Sequence, residues 1–349
     1  MESLRISRPF DAHVHLREGD ILKTVLPYTA DVFFSAVAMG NLKEPISTAE
    51  QVRVYREQIL SALPSGSNFM PIMSVMLQKN MTPEILEQTF EAGAQVLKFI
   101  PAATSTNSSA SNGVTIPELR NYYPVLAKAA DLGMIFSGHW ELARDAGNVE
   151  IPELERERLA IPWLRGIISD FSELKIMVEH VTTAEMIEVV KAAPDNVAAT
   201  ITAHHLMLEA KDVMDPSGRI INSLNYCKPV AKTHRDRMAV VETAVSGHPR
   251  FFFGSDSAPH PISAKRRIPP AAGIFSDPVA LSIVAQVFEE RGFLNRMKNF
   301  TSGFGPQFYG LPISQETIVL EERYWRVPES IDGIPVFMGG KAVKYQIVS

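Results

Sequence analysis

The chain alternates short apolar runs, rich in β-branched and aromatic residues, with longer segments that carry helix signals. Several of the runs are continuously apolar, which is the pattern of a strand buried on both faces of a parallel sheet. Eight runs occur, at residues 6–16, 32–41, 69–77, 96–101, 134–141, 176–182, 197–206 and 251–256. The pattern therefore predicts an α/β protein built on parallel strands.

Helix signals fill the segments between these runs. Ser47 and Thr182 each stand three residues before a glutamate, which is the spacing of a capping box. Thr82 precedes a proline at the first position of another predicted helix, and Pro117 opens a further one. Eight successive strand–helix units favour a (β/α)8 TIM barrel over a doubly wound sheet. We predict one domain over residues 1–349, with the barrel at about 5–311 and a C-terminal extension at about 312–349.

Three connections are unusually long. The first, residues 102–115, consists of small polar residues that cannot pack a core, and we interpret it as a lid over a site. The other two connections span residues 209–228 and 257–277. The tail at residues 318–349 alternates apolar and polar positions, so it predicts short strands packed outside the barrel.

The composition excludes several classes of partner. Hydrophobic residues make up 46% of the chain and charged residues 21%, and the net charge of −5 leaves no basic surface for nucleic acid or an anionic membrane. No apolar run reaches the length of about 20 residues that a membrane span needs. The single cysteine, Cys227, excludes an internal disulfide and fits a reducing compartment. We therefore expect a cytoplasmic protein whose partner is a small molecule.

Residues of metal-ligand and acid–base type stand at the ends of these runs. In a barrel the active site lies at the carboxyl ends of the strands. His13 and His15, two residues apart on an extended segment, project to one face and can hold one metal ion. The other polar residues at the run ends are Arg17, Asn41, Lys98, His139, His180, His204, His205, Asp256 and His260. Any one histidine could be a buried structural residue, but their convergence predicts a metal site.

Lys98 and Asp256 extend this interpretation. A lysine within an apolar strand must pair, shift its pKa or be chemically modified, because an unpaired buried ammonium is costly. One modification is carbamylation, which turns the amine into an anionic group with two oxygens that can bridge metal ions. Asp256 ends an apolar strand with a carboxylate that could bind metal and move protons.

Seven motifs are distributed along the chain. They are Phe-Asp-Ala-His-Val-His-Leu-Arg at 10–17, Met-Gly-Asn-Leu-Lys at 39–43, Val-Glu-His-Val-Thr-Thr at 178–183, Ala-Thr-Ile-Thr at 199–202 with His-Leu-Met at 205–207, Tyr-Cys-Lys-Pro-Val at 226–230, Gly-Ser-Asp-Ser-Ala-Pro-His at 254–260 and Gly-Pro-Gln-Phe-Tyr-Gly at 305–310. Together they resemble the short bacterial dihydroorotases of the amidohydrolase superfamily. The resemblance runs from about residue 5 to about residue 311 and more loosely to the end. The family implies a hydrolase of cyclic amides that interconverts N-carbamoyl-L-aspartate and L-dihydroorotate in pyrimidine biosynthesis.

The resemblance also implies the roles of individual residues. Two Zn²⁺ ions per subunit would be bridged by carbamylated Lys98, an N6-carboxylysine, and by a hydroxide. The remaining ligands would be His13, His15 and Asp256 for one ion and His139 and His180 for the other, with Asp256 also the catalytic acid–base. The substrate would be bound by Arg17, Asn41 and His260 at its carboxylate, by the backbone around Asn225 and Ala272 at its ring, and by Ser105 and Thr106 of the lid loop. Family members are often homodimers, and we expect the same here.

The sequence departs from the family pattern at three places. Ser223 and Leu224 stand where a proline and a histidine are common, Ile100 where an aromatic residue is common, and Gly40 where a proline is common. These changes bear on fine specificity and rate more than on the metal site.

Two alternative functions stay open from the sequence. One is another cyclic-amide hydrolase, such as a hydantoinase, dihydropyrimidinase or allantoinase. Those enzymes resemble longer chains with an additional β-rich domain, whereas only 12 residues precede His13. The other is a catalytically silent relative that serves as a scaffold. Such a protein typically loses metal ligands, and here each ligand position matches the family.

Overall fold

Parallel strands form a barrel in residues 3–104 and 112–348, the part of the chain that this computed structural model describes. A first strand, β1 (Ser3–Ser7), lies outside the barrel. The eight barrel strands found in the described residues are β2 (Phe10–Val14), β3 (Ser35–Ala38), β4 (Met70–Met76), β5 (Ala94–Phe99), β6 (Ile135–Gly138), β7 (Lys175–Val178), β8 (Val197–Ile201) and β9 (Phe251–Phe253). Each of them corresponds to one predicted run.

The barrel closes between its first and last strands. Neighbouring strands from β2 to β9 pair in parallel in chain order. Beyond the end of β9, a parallel bridge joins Val14 to Ser257. The backbone N–H of Asp256 donates to the carbonyl of His13 at 2.8 Å, and the N–H of His15 donates to that of Ser257 at 3.0 Å. The predicted TIM barrel is therefore confirmed.

Two predicted runs differ from the strands that form. The run at 6–16 is divided into β1 and β2 by Arg8 and Pro9, because a proline has no N–H for a sheet hydrogen bond. The run at 197–206 ends as a strand at Ile201. Thr202 then caps a short helix by accepting the N–H of His205 at 3.1 Å, so His204 and His205 lie on a helix and not on a strand.

Helices connect the strands and pack around the barrel. They are α1 (Gly19–Ala30), α2 (Ala49–Ala62), α3 (Pro83–Glu91), α4 (Tyr123–Asp131), α5 (Arg156–Asp170), α6 (Ala184–Ala192), α7 (Ala203–Met207), α8 (His234–Ser246), α9 (Ile262–Arg266), α10 (Ala280–Glu290) and α11 (Phe304–Tyr309). Short 3-10 turns occur at Pro117–Tyr122, Ala210–Asp212, Ser223–Asn225 and Leu294–Arg296, and a π-helical turn at Asn299–Gly303 precedes α11. No helix in the described ranges is long and apolar enough to cross a membrane.

Three predicted helix starts are confirmed, two of them with the cap shifted by one residue, whereas Pro117 opens a 3-10 turn and α4 begins only at Tyr123. Thr82 caps α3, with Pro83 at its first position, as predicted. The capping box of α2 is formed by Thr48 and Gln51 and not by Ser47. The N-cap of α6 is Thr183 and not Thr182. The hydroxyls of Thr182 and Thr183 both donate to the buried carboxylate of Glu157, and that of Thr183 also accepts the N–H of Met186.

Apolar side chains fill the amino-terminal end of the barrel. Phe10 lies at the start of β2, and Phe252 lies in β9. Both belong to a buried cluster that the side chains of Phe304, Phe308 and Tyr309 from α11 contact. The Phe10 and Tyr309 ring centroids are 5.1 Å apart. This cluster, which we call the plug, leaves only the carboxyl ends of the strands for polar chemistry.

The C-terminal extension pairs with the N-terminus. Its strand β10 (Thr317–Glu321) runs antiparallel to β1 and to β15 (Gln346–Ile347). Two further two-stranded pairs join β11 (Trp325–Arg326) to β14 (Ala342–Val343) and β12 (Ser330–Ile331) to β13 (Ile334–Pro335). The predicted short strands are therefore present, and their partner β1 was not foreseen.

We expect Phe252→Ala to lower the free energy of unfolding by about 3–5 kcal/mol, because it leaves a cavity in the buried plug. Phe90→Ala is the matched control, since that ring is 36% exposed on α3 and its loss should cost well under about 1 kcal/mol. Urea unfolding of both variants measures the difference. Equal losses in the two variants would contradict the assignment of the plug.

Candidate active site

The predicted site residues meet at the carboxyl ends of the strands. They line a cavity of about 250 Å³. The predicted residues along its wall are His13, His15, Arg17, Asn41, Lys98, His139, His180, Asp256, His260 and Ala272. They come from segments up to about 260 residues apart in sequence, and barrel closure brings them together.

The first group consists of His13, His15 and Asp256. The Nε2 atoms of the two histidines are 3.2 Å apart. Asp256 Oδ1 lies 3.0 Å from His15 Nε2 and 3.4 Å from His13 Nε2. Burial lowers the pKa of both histidines, so they present neutral imidazole nitrogens beside a carboxylate. Such a set of donors fits a divalent metal ion.

The second group consists of His139 and His180. His139 Nδ1 lies 3.2 Å from His180 Nε2. The other nitrogen of His139, Nε2, contacts the carboxylate of Glu141 at 2.7 Å. Because a carboxylate can only accept a hydrogen bond, this contact favours the tautomer of His139 with its proton on Nε2. In that tautomer the lone pair of Nδ1 faces His180. The ring centroids of His13 and His180 are 5.2 Å apart, which places the two groups side by side.

Lys98 lines the same cavity as the two groups and is fully buried. Its ammonium donates to Ser137 Oγ at 3.4 Å and lies 3.9 Å from Glu179 Oε1. Burial lowers the pKa of Lys98, with Glu179 and Asp256 opposing the shift. Of the three explanations that the sequence leaves open for this lysine, the structure shows two, a long contact with Glu179 and a lowered pKa. Chemical modification stays a prediction.

The short distances between histidine ring nitrogens within each group bear on whether metal ions fit this site. Neutral imidazole nitrogens at 3.2 Å do not stabilise each other unless one donates to the other or an ion lies between them. The converging atoms of His15 and His180 are their Nε2 nitrogens, whereas the Nδ1 nitrogens of both rings point elsewhere and have no hydrogen-bond partner among the described residues. Nitrogens and a carboxylate oxygen that converge in this way fit metal coordination better than a purely hydrogen-bonded core.

One corner of the cavity carries the residues predicted to bind a carboxylate. Arg17 donates through Nε to the Pro259 carbonyl at 3.1 Å, and its Nη2 lies 3.1 Å from His260 Nε2. Burial and the charge of Arg17 lower the pKa of His260 to about 2, so this histidine stays neutral. Burial lowers the pKa of Arg17 only to about 10, so the corner keeps one positive charge.

One predicted substrate contact, Asn225, lies beside this cavity. Asn225 does not line this cavity but an adjoining one of about 510 Å³, which shares His260 and Gly273 with it. The side chain of Asn225 donates to the Asp212 carbonyl at 3.3 Å. Ser105 and Thr106 lie outside the described residues. Ile100, one of the departures from the family pattern, is buried in the cavity wall.

The sequence reasoning missed the polar residues that support the predicted ligands. Asp11 Oδ1 accepts the backbone N–H groups of His13 at 3.0 Å and Ser255 at 2.7 Å. Glu141 holds His139, and Glu179 lies between His13 and Lys98. All three acids stand within two residues of a predicted ligand, and this proximity was the available signal.

A second histidine cluster, His204, His205 and Cys227, lies on and beside α7. It does not fit a metal site, although its ligand atoms lie within 4.8 Å of one another. His205 Nε2 and Cys227 Sγ lie 3.0 and 3.4 Å from the Pro229 carbonyl, which can only accept hydrogen bonds. Burial raises the pKa of the Cys227 thiol, and a metal would need its thiolate. We assign this cluster to packing.

Comparisons with known proteins converge on one family name. A dihydroorotase from Alkalilimnicola ehrlichii is 39% identical over 354 residues, covering 100% of this chain and 100% of the relative. A probable dihydroorotase from Schizosaccharomyces pombe is 40% identical over 332 residues, covering 94% of each chain. The crystal structure of dihydroorotase from Saccharomyces cerevisiae in complex with 5-fluoroorotic acid matches with a TM-score of 0.91 and 32% identity, covering 100% of this chain and 99% of that one. No family model matches the chain.

Two other structures bear on the alternative functions. An L-hydantoinase from Arthrobacter aurescens matches with a TM-score of 0.79 at 14% identity, covering 99% of this chain and 84% of that one. An inactive dihydroorotase-like domain from Chaetomium thermophilum matches with a TM-score of 0.65 at 16% identity, covering 99% of this chain and 92% of that one. At these identities the two matches show a shared fold alone.

We expect acid to destabilise the metal-free protein through its buried histidines. Burial lowers the pKa of His205 to about 4, whereas an unfolded histidine titrates near about 6.5. Its contribution to stability is therefore complete above about pH 6.5 and is lost toward about pH 4, by about 1.4 kcal/mol per pH unit. Urea unfolding in the presence of a chelator, between about pH 7 and about pH 5, measures this slope. His205→Gln should flatten it by about one proton, and parallel slopes would contradict the prediction.

Proposed function

The chain belongs to the dihydroorotase family, and on that premise we propose that it catalyses the reversible, zinc-dependent cyclisation of N-carbamoyl-L-aspartate to L-dihydroorotate and water in de novo pyrimidine biosynthesis, the route to UMP. The observation that carries this proposal is the 39% identity to a dihydroorotase over the whole length of both chains. The cavity supports it, because one wall carries metal-ligand side chains and one corner carries Arg17 beside a neutral His260.

We propose that the site holds two Zn²⁺ ions. His13, His15 and Asp256 would hold one ion, His139 and His180 would hold the other, and carbamylated Lys98 would be a ligand of both. Two bound divalent ions lower the pKa of water and polarise a carbonyl oxygen. The distances of 3.0–3.4 Å within the first group and 3.2 Å within the second support this assignment.

Asp256 moves the proton of the reaction. In the hydrolytic direction the oxygen of a water molecule adds to the ring amide carbonyl, and the bond from that carbon to nitrogen then breaks. Asp256 takes a proton from the attacking water on its carboxylate and gives it to the departing nitrogen. Burial raises the pKa of Asp256, although His13, His205 and Lys98 oppose the shift, which makes the carboxylate a better proton acceptor. Cyclisation reverses these steps.

Arg17, Asn41 and His260 bind the substrate carboxylate. The planar guanidinium of Arg17 can donate two parallel hydrogen bonds to a carboxylate. Ala272 lines the same corner, and His260 Nε2 lies 2.9 Å from its carbonyl. Ser105 and Thr106 of the predicted lid and the backbone around Asn225 complete the substrate contacts in this proposal.

The alternative functions have weaker support. A hydantoinase, dihydropyrimidinase or allantoinase acts on a ring without this carboxylate, and such a ring would leave the half-buried guanidinium of Arg17 without a carboxylate partner. A silent scaffold would not need the six ligand side chains that line one cavity. Activity on a neutral ring, or a protein that binds no metal, would favour these alternatives.

We also propose that residues 1–349 form one domain, with the barrel at about 5–311 and the extension at about 312–349, and that the protein is a cytoplasmic homodimer. Pairing between β1 and β10 supports the single domain. The single cysteine supports a reducing compartment. Light scattering of the purified protein tests the dimer.

We expect zinc-loaded protein prepared in bicarbonate to hydrolyse L-dihydroorotate much faster than hydantoin, dihydrouracil or allantoin, because only dihydroorotate offers a carboxylate to Arg17. Initial rates under the same conditions measure this preference. Lys98→Ala should abolish the activity. Turnover of a neutral ring alone would leave the barrel in place but overturn the roles given to Arg17, Asn41 and His260.

We expect Asp256→Asn to reduce kcat by about a hundredfold to ten-thousandfold, because an amide cannot carry the proton. Metal content must be measured on the same sample by elemental analysis, since Asp256 is also a proposed ligand. The role assigned to Asp256 would be wrong if the variant kept both metal ions and full activity.

A further inference from the structure

Glu179, the residue before His180, is a fully buried carboxylate that the proposed chemistry does not use. An ionised carboxylate persists in such a place only where several donors compensate the lost hydration. The hydrogen-bond donors around Glu179 therefore indicate its role in the site.

The first partner is His13. Glu179 Oε2 lies 2.9 Å from His13 Nδ1, although the ring N–H does not point straight at the oxygen. No other acceptor is paired with this nitrogen among the described residues. A carboxylate can only accept, so the contact favours the tautomer with the proton on Nδ1. That tautomer leaves the lone pair on Nε2, the atom that faces His15 and Asp256.

Two hydroxyls extend the contacts of Glu179 to the second group of ligands. Ser137 Oγ donates to Glu179 Oε1 at 2.5 Å and accepts from Lys98 Nζ at 3.4 Å. Thr200 Oγ1 donates to Glu179 Oε2 at 2.7 Å and accepts the backbone N–H of His180 at 2.6 Å. One carboxylate is thus connected to ligands from both groups, directly or through one hydroxyl.

We propose that Glu179 is a positioning residue that sets the tautomer of His13 and the placement of Lys98 and His180 for metal binding. This inference rests on the proposed metal site and on no assumption about the substrate. Residues that hold the second nitrogen of a metal-bound histidine fix both its tautomer and its orientation. Glu179 differs from Glu141, which contacts one ligand, because it connects three.

Glutamine at this position cannot replace the carboxylate. Each oxygen of Glu179 receives a donor, Ser137 at Oε1 and Thr200 at Oε2. Glutamine keeps one oxygen and places an NH2 group at the other, so the hydroxyl on that side can no longer donate to residue 179. If the NH2 group faces His13, the ring must move its proton to Nε2, which removes the lone pair from the metal side.

The experiment compares Glu179→Gln with Glu179→Asp and with the control Glu157→Gln. Glu157 is also a buried carboxylate, but its hydrogen bonds go to Thr182 and Thr183 rather than to a proposed ligand. Zn²⁺ is titrated into metal-free protein, and ¹⁵N-histidine spectra of the same protein report the His13 tautomer. We expect Glu179→Gln to weaken Zn²⁺ binding by about 10- to 100-fold and to shift the tautomer. Glu179→Asp should recover part of the affinity, and Glu157→Gln should keep it.

Other results of this experiment would overturn either the positioning role alone or the proposed function with it. Unchanged Zn²⁺ affinity and an unchanged tautomer in folded Glu179→Gln would overturn the positioning role while leaving the proposed function in place. A parent protein that binds no Zn²⁺ would overturn both. If Glu179→Gln does not fold, Thr200→Val and Ser137→Ala each remove one connecting hydroxyl, and each should lower the affinity. Parent-like affinity in both of these variants would overturn the proposal.

Discussion

Closure of the barrel between its first and last strands is the interaction on which the site depends. Two backbone hydrogen bonds, from Asp256 to the His13 carbonyl and from His15 to the Ser257 carbonyl, join segments about 240 residues apart. They bring the Asp256 carboxylate to 3.0 Å from His15 Nε2. An open sheet would leave β2 and β9 at opposite edges. The first group of ligands therefore exists only because the sheet closes.

The same closure creates an electrostatic problem, since it buries many titratable groups in a small volume. The histidines avoid the cost of a buried charge because they stay neutral, as the lowered pKa values of His15 and His180 indicate. The carboxylates divide into two kinds. Burial raises the pKa of Asp256, whereas hydrogen bonds and nearby positive charge bring the pKa of Glu179 to about 2 despite its burial. The surroundings of the two acids thus suit Asp256 to proton transfer and Glu179 to the positioning of ligands.

Much of this arrangement could be predicted from the sequence, and the reasons for the gaps are physical. Continuous apolar runs predict buried parallel strands, and polar residues at their ends predict one shared rim, so the convergence of Lys98 with the histidines was foreseeable. Partnerships such as that of Glu179 with Ser137 and Thr200 were not, because they join adjacent strands through hydroxyls whose direction depends on register. The helix that carries His204 was missed because a capping threonine at Thr202 interrupts an apolar run.

Backbone strain at the rim follows from the same constraint. Arg17, His180 and Asp256 all adopt positive φ, at 62°, 41° and 42°, a region that non-glycine residues rarely occupy. Each such residue costs about 1–3 kcal/mol and persists only where its surroundings fix it. Here the fixing contacts are the closure hydrogen bond at Asp256, the hydroxyl of Thr200 at the His180 N–H, and the Pro259 carbonyl at the Arg17 side chain. Three of the residues given the chemistry are therefore held in strained conformations by backbone carbonyls and a hydroxyl around them, so the geometry of the site depends on the barrel that surrounds it.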